Sequence, residues 1–207
     1  MNDKFTIRDF FAYFFCGCAF YIALFIVEFN RIINLIIANK DYLKDNSTVI
    51  VFLSLPIIYF TGQIVQSIDT PFYIIGSRLW KIYKKHPNWF WKGLYLLVCS
   101  HRVSGKLNLR NIDTKTFWDK CNELTLVSKY GHGEYWYIMN DLFKGVTLIS
   151  FSSSCYSFLN CKILLGFILL FSTFIFWVRA RYFATIFIDT ILSTRDALDK
   201  IKPENVK

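Results

Sequence analysis

Much catalytic and metal-binding vocabulary is missing from this chain of 207 residues. No Cys-x-x-Cys or His-x-x-x-His spacing occurs, so His86, Cys99, His101, Cys121 and His132 form no zinc pattern. No glycine-rich phosphate loop, no Gly-x-Ser-x-Gly elbow and no Ser-His-Asp context is present. Catalysis, a cofactor and a metal are therefore not expected. A Val/Thr-rich alternating run is absent too, which argues against a sheet. No repeat or low-complexity linker interrupts the helical periodicity. Acidic residues are scarce, 15 against 24 lysines and arginines, and the net charge is +9.

Charge of either sign is absent from four apolar runs, at 10–27, 49–68, 146–159 and 163–178. Crossing the hydrocarbon core takes about 17–25 apolar residues. The first two runs suffice. The last two extend through uncharged residues and are separated only by Asn160, Cys161 and Lys162, which predicts a tight helical hairpin. Lys4 and Arg8 precede the first run as in a signal sequence, yet no small-x-small site follows Phe25, so an uncleaved anchor is expected. The predicted fold is an all-α integral membrane protein. Four transmembrane helices carry a small helical cytoplasmic domain between the second and third. The pieces are a hairpin over 1–69 (spans at about 10–30 and 49–68), a cytoplasmic domain at 70–144, a second hairpin at 145–178, and an amphipathic helix and tail at 179–207.

The basic residues set the orientation. Two precede the first span, twelve lie between Asp69 and Lys144, and six follow Val178, against four (Arg31, Lys40, Lys44, Lys162) on the other side. Under the positive-inside rule both termini and the long middle segment face the cytoplasm. The net charge then reflects topology and attraction to anionic lipid, and direct binding of nucleic acid is not expected. In the middle segment, Arg78, Lys81, Lys84 and Lys85 decorate a helix ended by Pro87. Asn88 can cap the next, WFWKGLYLLVC, with Trp89 and Trp91 suited to a headgroup boundary. These residues, with Arg179 and Arg181 after the fourth span, are candidate lipid or partner contacts. SHRVSGKLNLRNID reads as turn-rich. Asp113 or Thr114 can cap a following helix with Phe117, Cys121, Leu124, Leu126 and Val127 on its apolar side. The glycines at 131 and 133 read as a chain break, with a helix from Glu134. After the fourth span, Phe183, Phe187, Ile191, Thr194 and Leu198 form one stripe, which should pack on the middle domain or on a neighbouring subunit.

Polar residues inside the spans need partners, because an unmatched amide in lipid costs several kcal/mol. Gln63 and Gln66 lie one turn apart, with Pro56 permitting a kink above them, Gly62 permitting close approach and Asp69 after them. Ser150, Ser153, Ser154 and Ser157 share faces of the third span. Contacts between helices or subunits are expected at these positions. The alternative is a polar ring lining an oligomeric pore. A transporter has less support, since neither an inverted repeat nor a deep charge is present.

The stretches YFTGQIVQSIDTPFYIIGSRLW and FWVRARYFATIFIDTILSTRDAL, with the length and span layout of the whole chain, resemble the small four-span membrane proteins of bacterial antiphage systems, the membrane subunit of the Kiwa defence system above all. The resemblance implies a homo-oligomer in the inner membrane. It would sense disturbance by phage and dock a soluble cytoplasmic effector that acts on DNA. The expected function is thus a non-enzymatic sensor and scaffold.

Overall fold

The computed structural model describes residues 7–201, and side chains at 10–68 and 74–200. Lys4, Lys202 and Lys207, and the side chains of Arg8, Asp69 and Pro71, which the topology and capping arguments used, lie outside the described residues. Among the described residues there are ten α-helices and no strand. The chain divides into two compact units. The first comprises Met1–Asp69 and Leu142–Trp177, the second Thr70–Asp141 and Val178–Lys207. The two hairpins thus join each other, and the middle segment joins the C-terminal helix.

The first unit opens with α1 (Ile7–Val27), α2 (Phe29–Ala38), α3 (Lys40–Asp45) and α4 (Ser47–Ser67). It is completed by parts of α9 (Gly131–Leu159) and α10 (Ile163–Ile201). Three helices are long and apolar enough to cross a membrane: Phe10–Val27, Ser47–Ser67 and Ile163–Lys200. Their outward surface is uncovered and oily, with Phe52 71%, Leu53 61% and Phe171 66% exposed. Water would tolerate such a patch poorly. α9 is not among the three, because Lys144 and five serines dilute its apolar run.

Hydrophobic attraction between helices vanishes in lipid, so close backbone approach must supply packing. Gly17 and Gly62 provide it where α1 crosses α4. A Cβ on Gly17 would overlap the Ile58 carbonyl, and one on Gly62 the Tyr13 carbonyl. Small and branched residues, Ala23, Val65 and Ile149, then bring α9 against both. Cys16 is fully buried at this junction, its Sγ donating to Leu142 O at 3.6 Å. At the far end, Lys162 donates to Val27 O and Tyr156 Oη to Glu28 at 2.8 Å, tying the end of α1 to the α9–α10 corner.

α1 stops at Val27, short of the expected span at about 10–30, and the return to α4 is helical throughout. Glu28, Asn39 and Asn46 sit at φ −106, −115 and −109, with ψ between 16 and 27, so each bends the chain. The i to i−4 bonds persist across the corners, as from Asn39 N to Leu35 O and Asn46 N to Tyr42 O. The Asn39 and Asn46 amides donate to the same carbonyls, at 2.8 and 3.0 Å. Asparagine's competition for backbone partners turns the helix without ending its hydrogen bonding.

The second unit contains α5 (Asp69–Lys85), α6 (Trp89–Cys99), α7 (Val103–Leu109) and α8 (Thr114–Leu126), with the remaining parts of α9 and α10. Asn88 Oδ1 accepts from Trp91 N at 3.0 Å and starts α6. Asp113, rather than Thr114, starts α8, accepting from Thr116 N at 2.8 Å and Thr116 Oγ1 at 2.9 Å. These bonds hold the Asp113 carboxyl below its usual range. The stretch expected to be turn-rich contains α7. It forms because Val103 and Leu107, one turn apart, enter a core with Phe117, Cys121, Leu124, Ala184, Phe187, Ile188 and Ile191. The C-terminal stripe therefore packs on the middle segment of its own chain, with Phe187 and Ile191 fully buried. Leu126 and Val127 do not join Leu124: they are 85% and 52% exposed. Leu126 lies two residues on, which points it to the opposite side of a helix. α9 begins at Gly131, not Glu134. Gly133 is buried there because a Cβ would meet Ile191 Cδ1 at 2.6 Å.

Three helices end alike. Asn111, Ser128 and Cys161 take φ of 55, 57 and 57. The next residue then bonds back five positions: Ile112 to Leu107 O, Lys129 to Leu124 O, Lys162 to Ser157 O. This is the Schellman arrangement, normally given to glycine. Replacing Ser128 with glycine should stabilise the protein by about 0.5–1 kcal/mol, since a side chain at positive φ carries strain. A thermal melt of the detergent-purified chain measures it.

Candidate functional site

Polar groups in the first unit concentrate at the C-terminal end of α4. Tyr13, Gln63, Gln66 and Ser67 line an open cavity of about 410 Å³. Pro56 lies within α4, two turns before the first glutamine. Gln63 Nε2 donates to Tyr59 Oη at 2.9 Å, and Gln66 Nε2 reaches Cys16 Sγ at 3.6 Å. Ser67 Oγ donates to Gln63 O at 2.8 Å. Both glutamine side-chain carbonyls accept no hydrogen bond among the described residues. The cavity thus presents acceptors and no ionised group from its lining.

The serines of α9 are elsewhere. Ser154 is buried and donates to Gly166 O on α10 at 2.8 Å. Ser157, also buried, donates to Ser153 O at 2.8 Å, and Ser150 is buried. They pack a hairpin whose tip is the Cys161 turn, and Phe158 lies edge-on to Phe167 at 5.2 Å. The glutamines and serines, expected to act together, meet different partners and do not form one polar track among the described residues.

In the second unit, α6 has two faces. Tyr95 and Cys99 are buried with Leu79, and Trp80 lies 5.0 Å from the Tyr95 ring. Burial raises the Tyr95 hydroxyl to about 12, although the bond from Asn108 at 3.0 Å pulls the other way. Trp91 is partly buried and packs against this core. On the other face Trp89 is 85%, Phe90 54% and Leu97 64% exposed. Arg78, Lys81, Lys84 and Lys85 are exposed along α5, and Lys84 Nζ stands 5.4 Å over the Trp80 ring. Arg179 is exposed on α10, and Arg181 is half-buried. Exposed indole beside ammonium groups suits a headgroup layer.

Sequence reasoning missed Asn140. It is fully buried, and its Nδ2 donates to His101 O at 2.8 Å and Ala180 O at 2.7 Å. One amide thus links the corner before α7, helix α9 and helix α10. A lone asparagine in YWYIMNDLF carries no periodic signal of this.

Among the described residues no group of three His, Cys, Asp or Glu is placed to hold a metal ion. Cys99 and Cys121 are buried, and burial pushes the Cys121 thiol up to about 12. A maleimide at neutral pH should therefore leave Cys121 unmodified in the native detergent-solubilised protein and label it after denaturation. Labelling at equal rates in both states would contradict this packing. The chain matches no family model, no curated protein and no solved structure.

Proposed function

We propose that the chain is a non-enzymatic membrane scaffold. It oligomerises within the bacterial inner membrane and recruits a soluble cytoplasmic effector as part of an antiphage complex. Four segments cross: α1, α4, the Leu142–Leu159 part of α9, and α10 up to Trp177. The serines of α9 do not bar its crossing, because Ser154 and Ser157 already bond carbonyls. The second unit then lies on the cytoplasmic side with most of the positive charge, and its indoles and lysines meet the inner leaflet.

The observation that carries the reading is the segregation of the two units. One exposes an oily, charge-poor surface; the other owns an aromatic core and a basic rim. α9 and α10 each contribute residues to both units. Leu126 and Val127, apolar and uncovered, are where a soluble partner would settle. The antiphage context comes from the resemblance of the two quoted stretches. Extraction from membranes with the products of neighbouring genes, followed by mass measurement, tests the proposal. A homo-oligomer with a stoichiometric soluble protein is the expected result; a monomer without a partner would sink it.

A pore is the second reading. It is favoured by the cavity of Tyr13, Gln63, Gln66 and Ser67, whose amide carbonyls lack acceptor bonds. Conductance in planar bilayers that falls with Gln63→Leu would support it, and an impermeable oligomer would remove it.

A further inference from the structure

We propose that α2 docks flat on the lipid bilayer, at the membrane face where α1 ends, and is held there by apolar side chains rather than by charge. At about 100° per residue, Phe29, Ile32, Ile33, Leu35, Ile36 and Ile37 fall on one side of the helix. Asn30, Arg31 and Asn34 fall on the other. No residue of α2 is buried by the protein, and on the apolar side Leu35 is 57% and Ile37 66% exposed.

The occupant follows from the surface that this face continues. Phe25, exposed on α1, and Phe29 meet edge to face with centroids 5.3 Å apart, so the oily surface of the span runs onto α2 without a gap. Lipid that covers the one meets the other. α2 cannot itself cross. Ten residues reach about 15 Å, half of a hydrocarbon core of about 30 Å, and crossing would strip Asn30, Arg31 and Asn34 of water. Nor does it prolong α1, because the chain bends at Glu28, to whose carboxylate Tyr156 Oη donates at 2.8 Å. α1 and α4 are both long and apolar enough to span, so the connection between them returns to the face it left. A helix kept at that level, oily on one side and polar on the other, lies among the headgroups with its apolar side inward. Arg31 is the one ionised residue of α2, so anionic lipid adds little to the attachment. The inference rests on α1 and α4 crossing the membrane, and not on the scaffold or pore reading.

The full chain would be placed in phosphatidylcholine nanodiscs and spin-labelled at single introduced cysteines, with the exposed native ones removed by Cys155→Ser and Cys161→Ser. The labels sit at Ile36→Cys, at Asn34→Cys on the opposite side of α2, and at Phe52→Cys on the exposed surface of α4. The background without an introduced cysteine sets the baseline. Relaxation by oxygen, which dissolves in lipid, is compared with relaxation by a nickel chelate, which stays in water. Oxygen should dominate at 36 and 52 and nickel at 34, with the ratio differing several-fold between 34 and 36. An equal mixture with phosphatidylglycerol should leave the ratio at 36 unchanged; a several-fold rise would overturn attachment by apolar side chains. Nickel reaching 36 as it reaches 34 would put the face in water. Neither reagent reaching 36 would mean that protein, such as a second copy of the chain, covers it. Either result overturns the proposal alone if oxygen still dominates at 52, whereas nickel at 52 removes the spans and the proposal together. Should Ile36→Cys fail to fold, Ile37→Cys takes its place with the same expectations.

Discussion

Gly62→Val should take apart the α1–α4 crossing, with a loss of about 3 kcal/mol or more. The first atom of any side chain at Gly62 would fall on the Tyr13 carbonyl, and Gly17 N lies 2.9 Å from the same point. Backbone cannot step aside as a flexible side chain can, so the two helices must separate. Separation would also expose Cys16, fully buried beside Gly145 and Gln66. The variant should melt earlier in detergent, and Cys16 should react with maleimide where the wild type does not. Gly93 is the control. A Cβ there meets nothing within 4 Å, so Gly93→Ala should gain about 0.5–1 kcal/mol from helix propensity. Equal outcomes for the two glycines would refute the close crossing.

Asn140→Leu should cost about 2–3 kcal/mol, because it removes both donors from buried carbonyls and adds nothing in their place. Asn140→Asp is the sharper test. It keeps the shape but turns an ionised oxygen toward His101 O and Ala180 O, which are acceptors themselves. Burial and repulsion raise the folded pKa of the introduced carboxyl. The penalty is then full above that raised value and shrinks as pH falls, vanishing only below the unfolded value of about 3.9, where the acid is protonated in both states. Thermal melts across this range should show Asn140→Asp approaching Asn140→Leu or better at the acid end and falling below it near neutrality. A pH-independent deficit would contradict the bond assignment.

The two helix caps and the C-terminal stripe are legible in the sequence. Asn88 and Asp113 cap the helices they precede, and the stripe of Phe183, Phe187 and Ile191 is buried. Each depends on neighbours within a turn or two. What escaped depends on distant chain. α7 forms because its two apolar residues find Phe117 and Phe187, and its glycine lets Cys99 O approach. Gly17 looks like any small residue until Ile58 crosses it. The partners of Gln66 and Ser154 could not be read from spacing, since their bonds go to Cys16 and Gly166; Gln63 bonds Tyr59, one turn back on its own helix. Asn39 and Asn46 bend a chain that stays helical.

The proposed function requires the first unit to lie within the bilayer and the second to be cytoplasmic. Membrane-impermeant maleimide on sealed membranes tests this most directly. It would compare the native Cys161, exposed at the α9–α10 corner, with a cysteine introduced by Lys115→Cys on α8. Cys161 should label from outside in spheroplasts, and the cysteine at 115 only in inverted vesicles. Labelling of both positions from the same side would contradict the account.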